Sequence, residues 1–187
     1  MRRLIVGISG ASGVIMGYRL LQALNQHPYV EIHLVISEGA VRNFELETDI
    51  SVADVKKLAH HYYDNDNMAA SISSGSFITE GMMVVPCSMK TLSGIAHGYA
   101  TNLLIRAADV CLKEGRKVVL APREMPLGPV HLRNMLLAAE YGCRIVPPML
   151  TFYNNLESTE DQLQHVIGKV LMQFGLEHKK FVPWQGE

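Results

Sequence analysis

The chain has 187 residues, 48% apolar and 19% charged, with 17 basic and 18 acidic side chains and a formal charge of −1. That balance excludes a basic nucleic-acid-binding domain and a tail of like charge. The length fits one domain that buries roughly 70% of the surface its unfolded chain exposes. No run approaches the roughly 20 apolar residues of a membrane span. Arg2-Arg3 and the short run Leu4–Ile8 imitate a signal peptide, but Ser9–Gly13 interrupts the run after a strand's length. Cys87, Cys111 and Cys143 are an odd set without metal-type spacing, which points to a reducing cytosol.

In chain order, Leu4–Ile8 reads as a buried strand. A helix follows from about Val14 to Asn25, with Val14, Tyr18, Leu21 and Leu24 at helical spacing, and His27-Pro28 stops it. Glu31–Ile36 is a second strand ended by Ser37. A helix then runs to about Glu45, and another spans about Val52–His61, with Ser51 and Asp54 at its start. Asp64–Thr79 is a small, polar loop of a length that suits a functional lid or a disordered stretch. Met82–Val85 is a third strand, closed by Pro86, with a helix from about Ser88. Helix Asn102–Lys113, strand Lys117–Ala121, helix Val130–Tyr141 and strand Arg144–Val146 follow. The last helix starts at a capping box of Ser158 and Asp161, and Leu163, Val166, Ile167, Val170, Leu171 and Phe174 form its apolar stripe. The apolar end Phe181–Glu187 carries the one tryptophan, Trp184. The segment from about 175 to 187 is expected to dock on the domain or a neighbouring subunit.

Alternating strands and helices imply a single-domain α/β fold, a Rossmann-like three-layer sandwich with a parallel sheet covered on both faces. Such sheets bind ligands at the carboxyl ends of their strands. That rule selects Ser9–Gly13, Ser37, Pro86–Thr91, Arg123–Glu124 and Pro147–Tyr153.

At Gly7–Gly13, small residues let the backbone approach a phosphate at a helix N-terminus. The spacing is neither the dinucleotide fingerprint nor a P-loop, and a tight turn without ligand fits the same residues. The hydroxyls of Ser9 and Ser12 favour a ligand. Ser88 and Thr91 either cap the following helix or hold a second polar part of that ligand. Cys87 reads as an apolar filler. Arg123 suits phosphate or carboxylate recognition, and Glu124 could shuttle a proton; a structural Arg–Glu pair is the alternative. Glu114, Arg116 and Lys117 read as a solvated turn, and Lys169 as a solvated lysine off its helix's apolar stripe. His60 and His61, neighbours on a helix, point apart and read as no metal site. His131 reads as a surface or capping residue. No aspartate-rich magnesium–diphosphate motif, His-Glu-x-x-His or Gly-x-Ser-x-Gly is present.

Together these residues resemble the UbiX/PAD-type flavin prenyltransferases, in the branch associated with phenolic and aromatic acid decarboxylases. The stretches that carry the resemblance are G-I-S-G-A-S-G at 7–13, L-E-T-D at 46–49, S-I-S-S-G-S-F at 71–77 and P-C-S-M-K-T-L-S-G-I at 86–95. R-A-A-D-V-C-L-K-E at 106–114, P-R-E-M-P-L at 122–127 and F-Y-N at 152–154 complete them. The resemblance implies metal-independent transfer of a dimethylallyl group from dimethylallyl monophosphate to reduced FMN. It also implies delivery of the prenylated FMN to a UbiD-type decarboxylase, and a homododecamer whose sites draw on more than one subunit. It assigns FMN to Gly10, Ala11, Ser12, Ser37, Ser88, Met89, Lys90, Thr91 and Arg123. It assigns the donor phosphate to Lys113, Arg123, Tyr153 and Lys169, with Arg106 in support and Trp184 as a wall. Ser12 and Glu47 would transfer protons at the flavin, and Glu124 at the departing phosphate.

Two positions depart from the pattern. Glu38-Gly39 stands where many members have Lys-Ala, and Lys169 stands where arginine is common, which keeps the charge and loses the bidentate fork. Two other readings share the architecture. An FMN-dependent decarboxylase of the phosphopantothenoylcysteine type would carry A-S-A-N or A-N-A-N in place of C-S-M-K. A non-catalytic FMN-carrying subunit would not need Glu47, Lys113 and Glu124.

Overall fold

The computed structural model of the chain describes residues 1–153, 156–184 and 186. Asn154, at the end of the F-Y-N stretch, and Gln185 and Glu187, in the terminal segment, lie outside the described residues. Six parallel strands form one sheet: β1 (Arg2–Ile8), β2 (Val30–Ile36), β3 (His61–Tyr63), β4 (Gly81–Cys87), β5 (Lys117–Pro122) and β6 (Cys143–Ile145), in the spatial order β3-β2-β1-β4-β5-β6. Among the described residues seven α-helices cover it: α1 (Ile15–Leu24), α2 (Glu38–Glu47), α3 (Val52–Lys57), α4 (Met89–Ala96), α5 (Leu103–Lys113), α6 (Pro129–Glu140) and α7 (Thr159–Met172). β1 and β4 are buried almost throughout because helices lie on both faces, so they read as apolar runs without alternation. One core unites α1, α2 and α7 with one side of the sheet, around Leu20, Leu34, Phe44 and Ile167. The other unites α4 and α5 with the opposite side, around Ile5, Leu92, Leu104 and Leu120.

Close approach fixes how α1 lies on the sheet. A Cβ at Gly17 would stand 2.7 Å from both the Ile8 side chain and the Val85 carbonyl oxygen. Caps fix where helices begin: the hydroxyls of Ser37, Ser51, Ser88 and Ser158 accept from Ala40, Asp54, Thr91 and Asp161 N–H, and the Asn102 side chain accepts from Ile105 N–H. Gly128 N–H donates to His131 Nδ1, so His131 is a capping residue.

The helix expected over Val52–His61 is corrected. It ends at Lys57, and His61–Tyr63 forms edge strand β3, with His61 beside His33 of β2. The polar stretch 64–79 holds one short 3-10 turn at Ser71–Ser73 and is fastened to α5: Asn65 O accepts from Leu103 N–H, and Arg106 Nε donates to Ser73 O. Arg116 is corrected too. It is half-buried, and its guanidinium donates to the carbonyls of Gly75 (2.6 Å) and Phe77 (3.0 Å), so it pins this loop. At the C-terminal end, Phe181 lies on Gly168, His178 bonds Gln164 Oε1 (2.7 Å), and Trp184 meets Tyr153 edge-on at 5.6 Å. Among the described residues no helix is long and apolar enough to cross a membrane.

Candidate functional site

Strand order reverses direction between β1 and β4, and a crevice opens outside the carboxyl ends of the strands there. A cleft of about 800 Å³ occupies this place, inside the range of small-molecule sites. Gly10 from the β1–α1 loop, Ser37 and Gly39 from the start of α2, Ser88–Thr91 from the start of α4, and Glu124 after β5 share its lining. These elements come from four separate parts of the chain, and the parallel sheet brings their tips together.

The cleft is built for close backbone approach. A Cβ on Gly10 would stand 3.0 Å from Gly39 Cα and 3.1 Å from Gly39 C, both backbone atoms that cannot swing aside. Gly13 has φ +94°, a left-handed conformation that favours glycine. The Glu38-Gly39 departure therefore sits where α2 and the β1–α1 loop touch.

Charge on the cleft wall is mostly negative. Glu38, Asp64, Asp66 and Glu124 line it, against the single cation Lys90 among the described residues. Attraction for a phosphate must then come from the amides of helix N-termini. The first turns of α2 and α4 leave N–H groups without intrahelical partners, and the cap hydroxyls take only those of Ala40 and Thr91. These features fit a nucleotide such as FMN: room for a ring system, two helix starts for its phosphate, and side-chain hydroxyls at Ser37, Ser88 and Thr91.

Ser9 is a correction. Its side chain is fully buried, and its hydroxyl donates to Pro86 O (3.1 Å) and accepts from Ser88 N–H (2.8 Å). It ties the tips of β1 and β4 together and does not face a ligand. Ser12, half-buried in the same loop, makes no such side-chain bond among the described residues. Next to it, Gly13 N–H donates to Glu47 Oε2 (2.7 Å), which holds the Glu47 carboxylate from the end of α2 against the β1–α1 loop. Ala11, in the same loop, is buried.

Arg123 and Glu124 are both exposed at the end of β5. Arg123 N–H donates to Cys87 O (3.1 Å), which sets the chain's exit direction. Glu124 Oε1 accepts from Met125 N–H (2.9 Å), and among the described residues no ion pair joins Glu124 to Arg123. Cys87 is fully buried, and burial pushes its thiol far above the usual cysteine range, so it is no nucleophile. Burial likewise raises Cys111 and Cys143 to about 11.

The remaining expected site residues form two groups outside the cleft. Arg106 and Lys113 lie on α5 beside the loop at 71–77. Arg106 pairs with Asp109 (2.6 Å), and Lys113 pairs with Glu114 next to Gly75. Tyr153 and Trp184 wall a second, open pocket of about 430 Å³. Lys169 lies near them on α7, its ammonium 5.4 Å from the Phe181 ring centre, with His165 between Phe181 and Tyr153. Lys169 is therefore half-buried among aromatic rings, not a freely solvated lysine. Sequence reasoning missed Asp64, Asn65, Asp66 and Asn102 as cleft-lining groups; their only signal was membership of the polar loop and of a helix cap.

The flavoprotein family model matches residues 1–172. A probable UbiX-like flavin prenyltransferase of Sedimentibacter hydroxybenzoicus is 66% identical over 184 residues, 98% of this chain and 97% of its own. The crystal structure of a dodecameric FMN-dependent UbiX-like decarboxylase from Escherichia coli O157:H7 superposes with a TM-score of 0.97 at 55% identity, covering 98% of this chain and 100% of its own. AnUbiX (PadA1), crystallised with FMN and dimethylallyl pyrophosphate, superposes with a TM-score of 0.96 at 44% identity, covering 100% of this chain and 98% of its own.

Proposed function

Because this chain belongs to the family of UbiX-like flavin prenyltransferases, we propose that it transfers a dimethylallyl group from a dimethylallyl phosphate to reduced FMN. The observation that carries this reading is the cleft at the β1/β4 reversal, where two helix starts, a glycine-bracketed loop and Glu124 share one space. Reduced FMN supplies the nucleophilic ring edge for the transfer.

Gly10, Ala11, Ser12, Ser37, Ser88–Thr91 and Arg123 hold the nucleotide in this reading. The donor phosphate needs cations to stabilise the charge it carries away, and Lys113, Arg123, Lys169 and the Tyr153 hydroxyl supply that environment. Glu124 gives a proton to the departing phosphate; Glu47, held at Gly13, and Ser12 move protons at the flavin. Arg106 positions the loop at 71–77, and Trp184 excludes water from the donor's apolar end.

In a single chain these groups lie in three places, so the complete site is assembled between subunits of a homododecamer. The dodecameric state of the E. coli relative supports that assembly. The monophosphate is the donor we favour, while the complex of AnUbiX with the pyrophosphate makes the longer donor a direct competitor to test. The product serves a separate UbiD-type decarboxylase in a reducing cytosol, a setting in keeping with three unpaired, buried cysteines.

The test is anaerobic incubation with reduced FMN, a chelator and either dimethylallyl monophosphate or dimethylallyl pyrophosphate, read by mass spectrometry. A flavin larger by one five-carbon unit is the expected product. Unchanged flavin with both donors would reject the reading. Release of carbon dioxide from an aromatic acid or a cysteinyl substrate by this chain alone would favour the decarboxylase reading.

A further inference from the structure

We propose that Glu31, His33 and His61 form a second site, for a divalent transition-metal ion of zinc-like chemistry, at the sheet edge opposite the strands' ligand-binding tips. Glu31 and His33 stand two residues apart on β2 and so share one face of the sheet, and His61 of β3 is the register neighbour of His33. Their ligand atoms all lie within 4.8 Å of one another. Glu31 Oε1 stands 3.2 Å from His33 Nε2 and 3.1 Å from His61 Nε2. Tetrahedral zinc with bonds of about 2.0–2.1 Å sets neighbouring ligand atoms about 3.3 Å apart, so two of the three edges already have nearly that length, while the His33 and His61 rings stack 4.8 Å apart and the exposed His61 ring must turn to aim its Nε2 at a shared ion.

A second observation points to a ligand. His33 is 1% exposed, and its Nε2, turned toward this cluster, makes no well-aligned hydrogen bond, its nearest acceptor being Glu31 Oε1 at 3.2 Å. A buried, unsatisfied ring nitrogen costs stability unless something occupies it. Its other nitrogen is held in the manner of metal-ligating histidines: Nδ1 lies 2.9 Å from Tyr63 Oη, which lies 2.9 Å from Ser71 Oγ. Arg3 Nε bonds the other Glu31 oxygen (3.3 Å) and leaves Oε1 to the histidines. The His61 side chain is about half exposed, which provides an entry path and a position for a water ligand.

The donor set of two imidazoles and one carboxylate suits zinc and its neighbours better than magnesium or calcium, which prefer all-oxygen shells. Glu31 and His33 precede Ile36, at the cleft end of β2, by five and three residues, about 16 and 10 Å along the strand. The ion therefore takes no part in chemistry at the cleft and ties β3 to β2. Tyr62 and Asp64, on and just after β3, line the cleft, so the ion would steady one of its walls.

The test uses the full-length protein, stripped with a chelator and dialysed, then titrated with zinc and with cobalt. We expect one ion per chain, a visible cobalt spectrum of tetrahedral type, and a higher melting temperature with zinc. His61→Ala, at an exposed edge position, should weaken binding at least about tenfold and remove the melting shift, as should Glu31→Gln; Tyr63→Phe should weaken binding about tenfold. Absence of binding by the unsubstituted protein, or equal binding by the His61→Ala and Glu31→Gln variants, would overturn the proposal.

Discussion

Two serines three residues apart in one loop do different work. Ser9 joins β1 to β4 through Pro86 and Ser88, whereas Ser12 is the one proposed to meet the ligand. Ser9→Ala would leave a half-buried Ser88 N–H without its acceptor and should cost about 1 kcal/mol in denaturant unfolding. Ser12→Ala should change stability by less than about 0.5 kcal/mol and reduce turnover; equal stability losses would erase the distinction. Both hydroxyls were visible in G-I-S-G-A-S-G, but the partners of Ser9 lie 77 and 79 residues away, so only the fold could separate them. Glu124 was legible because it follows an apolar strand at the ligand-binding edge. Glu124→Gln should lower turnover about 100-fold or more while FMN titrates as before; an unchanged rate would remove it from proton transfer.

At the level of elements, signals local in sequence were readable and those made by pairing were not. Ser51, Ser88 and Ser158 mark helix starts because a cap is satisfied within three residues. β3 has three residues and exists because His33, Leu34 and Val35 pair with it, so no periodicity announced it. Arg116 looked solvated because its acceptors, the carbonyls of Gly75 and Phe77, carry no side-chain signature. The C-terminal segment offers a pH prediction. Burial lowers the His178 pKa below its ordinary value of 6.5, with Lys180 and His27 adding to the effect, and burial lowers His165 as well, with Lys169 adding. The undocked segment then binds more protons, so docking is at full strength above about pH 6.5 and weakens as pH falls through the depressed values. Trp184 emission should shift between pH 7 and pH 5, and less so in His178→Gln. A flat response in the unsubstituted protein would show that the segment does not sense this histidine.

For the whole molecule, alternating strands and helices foretold a parallel sheet, and four of the five loops that the carboxyl-end rule selects contribute to the cleft, whereas Pro147–Tyr153 does not. The order β3-β2-β1-β4-β5-β6 was not legible, because crossovers of similar length are compatible with several strand orders. That order puts the reversal between β1 and β4, and so places Gly10 and Ser88 across one cleft. Lys113, Tyr153 and Lys169 lie away from it, and the proposed sharing of the site among subunits is what would bring them to it, a feature that one chain's sequence expresses only through family resemblance. The most direct test is a crystal structure of the protein with FMN. The account predicts the nucleotide in the cleft between Gly10, Ser37 and Ser88, with its phosphate against the first-turn amides of a helix. A nucleotide seated elsewhere, for instance between Tyr153 and Trp184 of one chain with the cleft left empty, would contradict it.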